Sequence, residues 1–208
     1  MDGVFMKKIL KRIVICGLLV AICWSMILIS DRRKLSNGLI RFHVVAHSDA
    51  QEDQAIKREI RDAVLQSIQT DLQEIADIEK AKEYLRSNLP QIQVIVNQAL
   101  RELGFQGSSK VSLCKEAFDV RHYETFSLPA GVYDSLRIVI GDGLGQNWWC
   151  VSFPTLCIPA TTSGFEDAAV GAGFSDSLTQ SLSGNEGYEI HFYFLDRLGK
   201  LENILFHE

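Results

Sequence analysis

Hydrophobic and polar positions follow three different rhythms along this chain. The first is no rhythm at all. Ile13 to Ile29 is an uncharged, mostly apolar run of 17 residues, preceded by Lys7, Lys8, Lys11 and Arg12 and followed by Asp31, Arg32, Arg33 and Lys34. Such a run lies at the short end of what spans a bilayer and exceeds the core of an ordinary signal peptide. Residues 1–34 therefore read as an export signal or an uncleaved anchor. Ile27, Leu28, Ile29 and Ser30 precede Asp31, so no small-x-small cleavage site follows the run. Cys16 and Cys23 follow Ile15 and Ile22 rather than small residues, which argues against lipoprotein processing.

The second rhythm has period two. In Leu39–His47, "LIRFHVVAH", Ile40, Phe42, Val44 and Ala46 alternate with Arg41, His43 and His47, the mark of a half-buried strand. The third has period 3.6. Ile56, Ile60, Ala63, Val64 and Ile68 predict an amphipathic helix from about Ser48 to residue 69. Ser48 or Asp49 is its expected cap, with Gln51 or Glu52 closing a capping box. Asp53 and Lys57 are spaced for an i,i+4 ion pair. Asp77 is expected to cap a second helix carrying Ile78, Ala81 and Leu85. Pro90 is expected to open a third, lined by Ile92, Ile95, Val96, Ala99, Leu100 and Leu103 and stopped by Gly104.

After Gly107 period two returns. Strands are expected over Val111–Phe126, Leu136–Ile140, Trp148–Phe153 and Tyr188–Leu195. Residues 161–187 are rich in Gly, Ser, Asp and Ala and read as a flexible insert with one weak helix near Ser175–Leu182. One strand, three helices and a run of strands give an α+β domain over residues 35–208, its helices packed on a mainly antiparallel sheet behind the hydrophobic segment.

Charge sharpens this division. Residues 1–34 hold seven Lys+Arg and two Asp+Glu, a net +5, whereas the rest holds 14 and 24, a net −10. An acidic exported body argues against nucleic acid and against anionic lipid as partners, and leaves residues 13–29 as the contact with a membrane. Of the body's cysteines, Cys114, Cys150 and Cys157, at most two can form an internal bridge.

Candidate chemistry is sparse. His43 and His47 have the HxxxH spacing of a helical metal site. On a strand they stand about 13 Å apart at roughly 3.3 Å per residue, too far for one zinc ion. "GDGLGQ", Gly141–Gln146, has the glycines of a phosphate loop but is followed by β-rich sequence rather than a helix, so it reads as a hairpin loop. "SDAQED", Ser48–Asp53, lacks the glycine and alternate ligands of a calcium loop. No serine elbow, HExxH or CxxC is present. No cofactor is expected. An exported thiol or cell-envelope enzyme using Cys150 or Cys157 is the rival reading to a non-catalytic protein.

"GQNWWCVSFPTLC", Gly145–Cys157, is the densest segment. On a strand Trp149, Val151 and Phe153 share one face and Trp148, Cys150 and Ser152 the other. The first set is expected to face the core, leaving Trp148 to be covered by the 161–187 connection or by a partner. Pro154 ends ladder pairing. A turn after it could bring Cys157 to Cys150, with a bridge to Cys114 as the competing arrangement.

Two blocks carry a resemblance. "HVVAHSDAQEDQAIKREIRDAV" (His43–Val64) and "LRIVIGDGLGQNWWCVSFPTLC" (Leu136–Cys157) are similar to the stage II sporulation protein R family, with "RHYETFSLPAGVYDSLRIVIG" (Arg121–Gly141) supporting it between them. The resemblance spans about residues 38–158 and weakens past Pro159. It implies a signalling protein and not an enzyme. It would be exported from the forespore into the space facing the mother cell. There it would activate a membrane-embedded aspartic protease, the sigma-E factor processing peptidase, which trims pro-sigma-E. No active site carries across. Asp49, Asp53, Lys57, Arg61, Asp62, Asn147 and Trp148 are the contact candidates; Gln146 and Trp149 are contact or scaffold positions.

Overall fold

The computed structural model describes residues 3–123, 125–154, 162–171, 173–184 and 189–206. The elements are α1 (Gly3–Gly38), β1 (Ile40–Val45), α2 (Gln51–Glu74), α3 (Ile78–Glu102), β2 (Ser109–Phe118), β3 (Arg121–His122) and β4 (Ser127–Leu128). They continue with β5 (Gly131–Ile140), β6 (Asn147–Phe153), α4 (Thr162–Gly171), α5 (Asp176–Leu182) and α6 (Glu189–Phe206). The fold is α+β. Its four-stranded sheet has the order β2-β5-β1-β6. β1 runs parallel to β5, while β2–β5 and β1–β6 are antiparallel.

One face of the sheet is aliphatic. Ile40, Phe42, Val44, Leu136, Ile138 and Ile140 bury themselves against Ile60, Val64 and Ile68 of α2 and Leu85, Ile92 and Val96 of α3. The other face packs Val151, Phe118 and Tyr133 against Leu28, Leu35 and Leu39, and against Phe165, Leu178 and Leu195 of α4, α5 and α6.

Several expectations from the sequence are corrected. Two helices rather than three lie between β1 and β2, because α3 runs straight through Pro90. Proline removes one backbone donor from a helix interior. Pro90 is exposed, so the orphaned carbonyl faces water, and the stripe Ala81, Leu85, Ile92, Val96, Leu100 holds both halves down. Asp77 does cap α3, accepting from the Lys80 amide at 3.0 Å. α2 instead starts after Ala50 with no side-chain cap. The expected long strand from Val111 stops at Phe118, and the β3–β4 hairpin follows.

The expected strand at Tyr188–Leu195 is helical from Glu189 onward; Tyr188 lies outside the described residues. "YEIHFYFL" alternates only over a short window. Across the whole segment Leu195 and Leu198 join Phe192 on one helical face, which packs on the sheet. Gly199 fixes the approach: a Cβ there would lie 1.6 Å from the Ala130 carbonyl oxygen. The helix expected near Ser175–Leu182 is α5.

α1 is long and apolar enough to cross a membrane. Its C-terminal end is built into the body, with Asp31 and Arg32 buried. Arg32 reaches Glu202 and the Tyr133 hydroxyl, and Asp31 lies 3.3 Å from the His191 ring nitrogen.

Candidate functional site

β1 and β5 are parallel, so both end at the same edge of the sheet, and β6 begins there. Each strand hands the chain to a short loop: 46–50 after β1 and 141–146 after β5. The two loops lock together. Leu144 N donates to His47 O at 3.1 Å and Gly145 N to Ala46 O at 3.0 Å. Asp142 N donates to His47 Nδ1 at 3.1 Å, and Gln146 N to Asp49 Oδ1 at 2.7 Å. Glycine is required at two points. Gly141 has φ +58°, which L residues rarely adopt. A Cβ at Gly145 would lie 2.2 Å from the Ser48 carbonyl oxygen.

α2 clamps this edge from above. Lys57, 6% exposed, donates to Gln54 Oε1 at 2.6 Å and to Gln146 O at 2.8 Å. Burial, together with the charges of Arg58 and Arg61, holds its amine below the ordinary lysine value, partly offset by Asp49. Ser48 donates to Asp53, and Gln54 donates to Ser48 O. Asp53 and Lys57 therefore each serve the loops rather than forming the expected i,i+4 pair. The expected capping carboxylate, Asp49, accepts from the Gln146 amide instead. One turn further on, the Arg61 guanidinium lies 4.4 Å over the Trp148 ring and bonds Asp62 at 2.7 Å. The Arg61 hydrogen bond holds the Asp62 carboxyl below its usual range.

The faces of "NWWCVSF" are therefore the reverse of those expected. Trp148 and Cys150 point to the α2–α3 side, because Phe42 opposes Cys150. Trp149 and Val151 point to the second face. A register shift at Ile40/Arg41 lets Phe153 return to the α2–α3 side. Trp148 is covered by its own chain through α2. Its Nε1 is buried and has no hydrogen-bond partner among the described residues. The alternation was legible, but both faces are buried, so apolarity alone could not tell them apart.

On the second face stands a polar cluster that the sequence reading did not assemble. His43 Nδ1 lies 3.0 Å from Glu116 and its Nε2 2.9 Å from Asn147 Oδ1, with the ring stacked on Trp149. Arg137 is 3.3 Å from Glu116, and Arg121 lies 3.5 Å over Trp149. Burial pushes the Glu116 carboxyl up, but the His43 hydrogen bond and the His43 and Arg137 charges outweigh it and leave it below the carboxylate range. Arg41 is fully buried. It donates to Cys150 O and to the Tyr123 hydroxyl and sits over the Phe118 and Tyr133 rings. Asn147 thus belongs to this cluster, across the sheet from Trp148. The one signal for the cluster was the polar side of "LIRFHVVAH".

The seven contact candidates thus gather around one edge, but in different roles. Asp53, Lys57 and Arg61 are internal clamps and Trp148 is a covered wedge. Asp49, Asp62 and Asn147 remain exposed. Leu144, at the tip of the 141–146 loop, is 81% exposed beside Asp142. Sequence reasoning missed it; a leucine between glycines in a tight loop was the available signal.

The Cys150–Cys157 bridge falls on Cys157, outside the described residues. The competing bridge from Cys114 to Cys150 is not formed. Cys114 is a free thiol on the opposite sheet face, on the outer strand β2, with β5 and β1 between it and β6. Burial, then the Glu116 charge, pushes its thiol up, away from the thiolate that nucleophilic chemistry needs. Cys150 is 5% exposed and packs within the α2–α3 face of the sheet. Among the described residues no three His, Cys, Asp or Glu side chains form a group able to hold a metal ion.

Both interlocked loops lie within the region that matches known proteins. The profile of stage II sporulation protein R matches residues 36–163. The chain belongs to the stage II sporulation protein R family. It is 42% identical over 118 residues to "Stage II sporulation protein R" of Bacillus subtilis (strain 168), a match covering 57% of this chain and 53% of that relative. The chain thus spans about half the length of the curated relative it matches. No solved structure matches. Family membership supports a role in sporulation, and α1 fits a signal peptide or an anchor, consistent with export. The matched region includes the whole sheet and its edge loops. α5 and α6 lie beyond it.

Proposed function

We propose that this protein is an exported sporulation signal that activates a membrane-embedded aspartic protease, which then processes pro-sigma-E. The forespore exports it into the space facing the mother cell, and the sheet edge around Leu144 is the surface the protease recognises. The interlocking of residues 46–50 with 141–146 carries this reading. Two distant sequence blocks combine into one rigid rim, and that rim turns Leu144, Asp142 and Asp49 outward. An exposed leucine on a rim that also carries Asp142 and Asp49 suits a small apolar socket with a basic margin.

Activation requires that the rim bind the active protease better than the inactive one. A preorganised rim favours this, because little ordering entropy is lost on docking. The thiol-enzyme alternative draws no support from the burial of Cys150 or the raised Cys114 thiol.

The test co-expresses the protease, its sigma substrate and this chain. Leu144→Asp and Asp49→Arg chains, exported at normal levels, are expected to leave pro-sigma-E unprocessed. Full processing by both would remove the rim assignment.

A further inference from the structure

α6 covers the sheet with one side and leaves the other uncovered. Ile190, Tyr193, Phe194, Leu201, Ile204 and Leu205 are all exposed, from 37% at Phe194 to 66% at Ile190. At about 100° per residue they form one stripe roughly 120° wide. The basic residue within it is Arg197, whose Nε donates to the Tyr193 hydroxyl at 3.0 Å. An apolar stripe of this length is unusual on a face left to water.

Its position relative to α1 bears on what could cover it. Phe194 packs edge-on against Trp24 with ring centroids 4.8 Å apart. Trp24 lies within the Ile13–Ile29 run, about 7.5 Å inside its outer end at 1.5 Å per residue. If α1 crosses a bilayer, Phe194 sits at bilayer depth. On either side of Phe194 along α6, His191 approaches Asp31 and Glu202 approaches Arg32. Positions 191 and 202 are about 16 Å apart on a helix, yet they meet adjacent residues of α1. α6 therefore crosses α1 rather than running along it. A helix that crosses a transmembrane helix steeply can lie along the membrane surface.

We infer that α6 is an interfacial helix. Its Ile190–Leu205 stripe rests in the headgroup and acyl boundary of the leaflet from which α1 emerges, and it holds the body against the membrane. The chemistry suits that boundary. Tyr193, Phe194 and Trp24 are aromatic residues of the kind that gather at membrane interfaces. Arg197 can extend its guanidinium to lipid phosphates while its stem stays among apolar neighbours. The body's net negative charge opposes long-range attraction to anionic lipid, so the attachment rests on apolar burial. Buried Asp31 and Arg32 fix the angle between the two helices. The inference rests on α1 crossing the membrane and is independent of what the Leu144 rim binds.

The test uses the full chain in phosphatidylethanolamine–phosphatidylglycerol vesicles at low protein-to-lipid ratio. A diazirine photoprobe confined to the lipid phase is activated, and labelled positions are read by peptide mass spectrometry. Leu144 and Val94, exposed apolar residues on the sheet edge and on α3, serve as internal controls. Ile190, Leu201, Ile204 and Leu205 are expected to be labelled several-fold more heavily than either control, in the wild-type chain and without any substitution. Ile204→Glu is expected to cut labelling at Leu201 and Leu205 several-fold while leaving Ile13–Ile29 labelled. Labelling of α6 no heavier than that of Leu144 would overturn the inference. So would protection of the stripe accompanied by cross-linked dimers, which would assign it to a second copy.

Discussion

The two faces of the same four strands are stabilised in different ways. Toward α2 and α3 the central side chains are almost all aliphatic or aromatic, and polar ties such as Lys82–Asp134 and Lys57–Gln146 O lie at the margins of that core. Toward α4–α6 the centre carries Arg41, His43, Glu116 and Arg137, each matched to a ring, a carboxylate or a backbone oxygen. The first face is an ordinary core that fixes the sheet. The second is specified by pairings, and its polar groups reach toward the rim through Asn147. Robust packing thus lies under the rim and position-specific chemistry lies behind it.

Substitutions can break or sharpen that contrast. Phe42→Ala should give the largest effect, about 3–5 kcal/mol lost, as for other large-to-small core changes. The urea midpoint of the detergent-solubilised chain reads it. Glu116→Gln should cost less, about 1.5–3 kcal/mol at pH 7, the range for hydrogen bonds to charged groups. Its pH dependence is distinctive. The folded carboxyl titrates below its unfolded value. Its stabilisation is therefore complete above the ordinary carboxylate pKa, about 4.3, and disappears as pH falls through the lowered value. Wild-type and Glu116→Gln midpoints should converge in acid and separate as pH rises. A constant gap would show that the charge is not what matters.

Gly145→Ala should cost about 1–3 kcal/mol, typical of overpacking, because the new Cβ meets the Ser48 carbonyl. It should also weaken processing by loosening the two loops. Arg41→Met tests the second face in the opposite direction. No carboxylate pairs with Arg41 among the described residues. Replacing a buried charge by an apolar side chain of similar length should leave stability within about 1 kcal/mol or raise it. A loss as large as that of Phe42→Ala would mean that the ring contacts and two hydrogen bonds outweigh desolvation.

The legible parts of the fold share a cause. β1 and α2 have one buried side each, so alternation and 3.6 periodicity mark them clearly. The α2 face that would be read as solvated charge, Asp53 to Asp62, is instead tied to a loop about ninety residues away, and periodicity carries no such information. α6 was misread because an apolar stripe facing outward doubles its hydrophobic positions and mimics strand alternation around Ile190–Leu195. β6 was assigned correctly as a strand but faced the wrong way, since both sides of it are covered. At the proposed rim, Asp49 and Asn147 were among the contact candidates, while Leu144 stood in a loop that reads as a mere turn.

The smallest expected structural change carries the most direct test. Leu144→Asp alters an exposed loop tip, and its effect on stability should stay within about 0.5 kcal/mol. In cells co-expressing the protease and pro-sigma-E, the exported and folded Leu144→Asp chain should fail to trigger processing, while wild type succeeds. Normal processing by that chain would contradict the rim as the recognised surface.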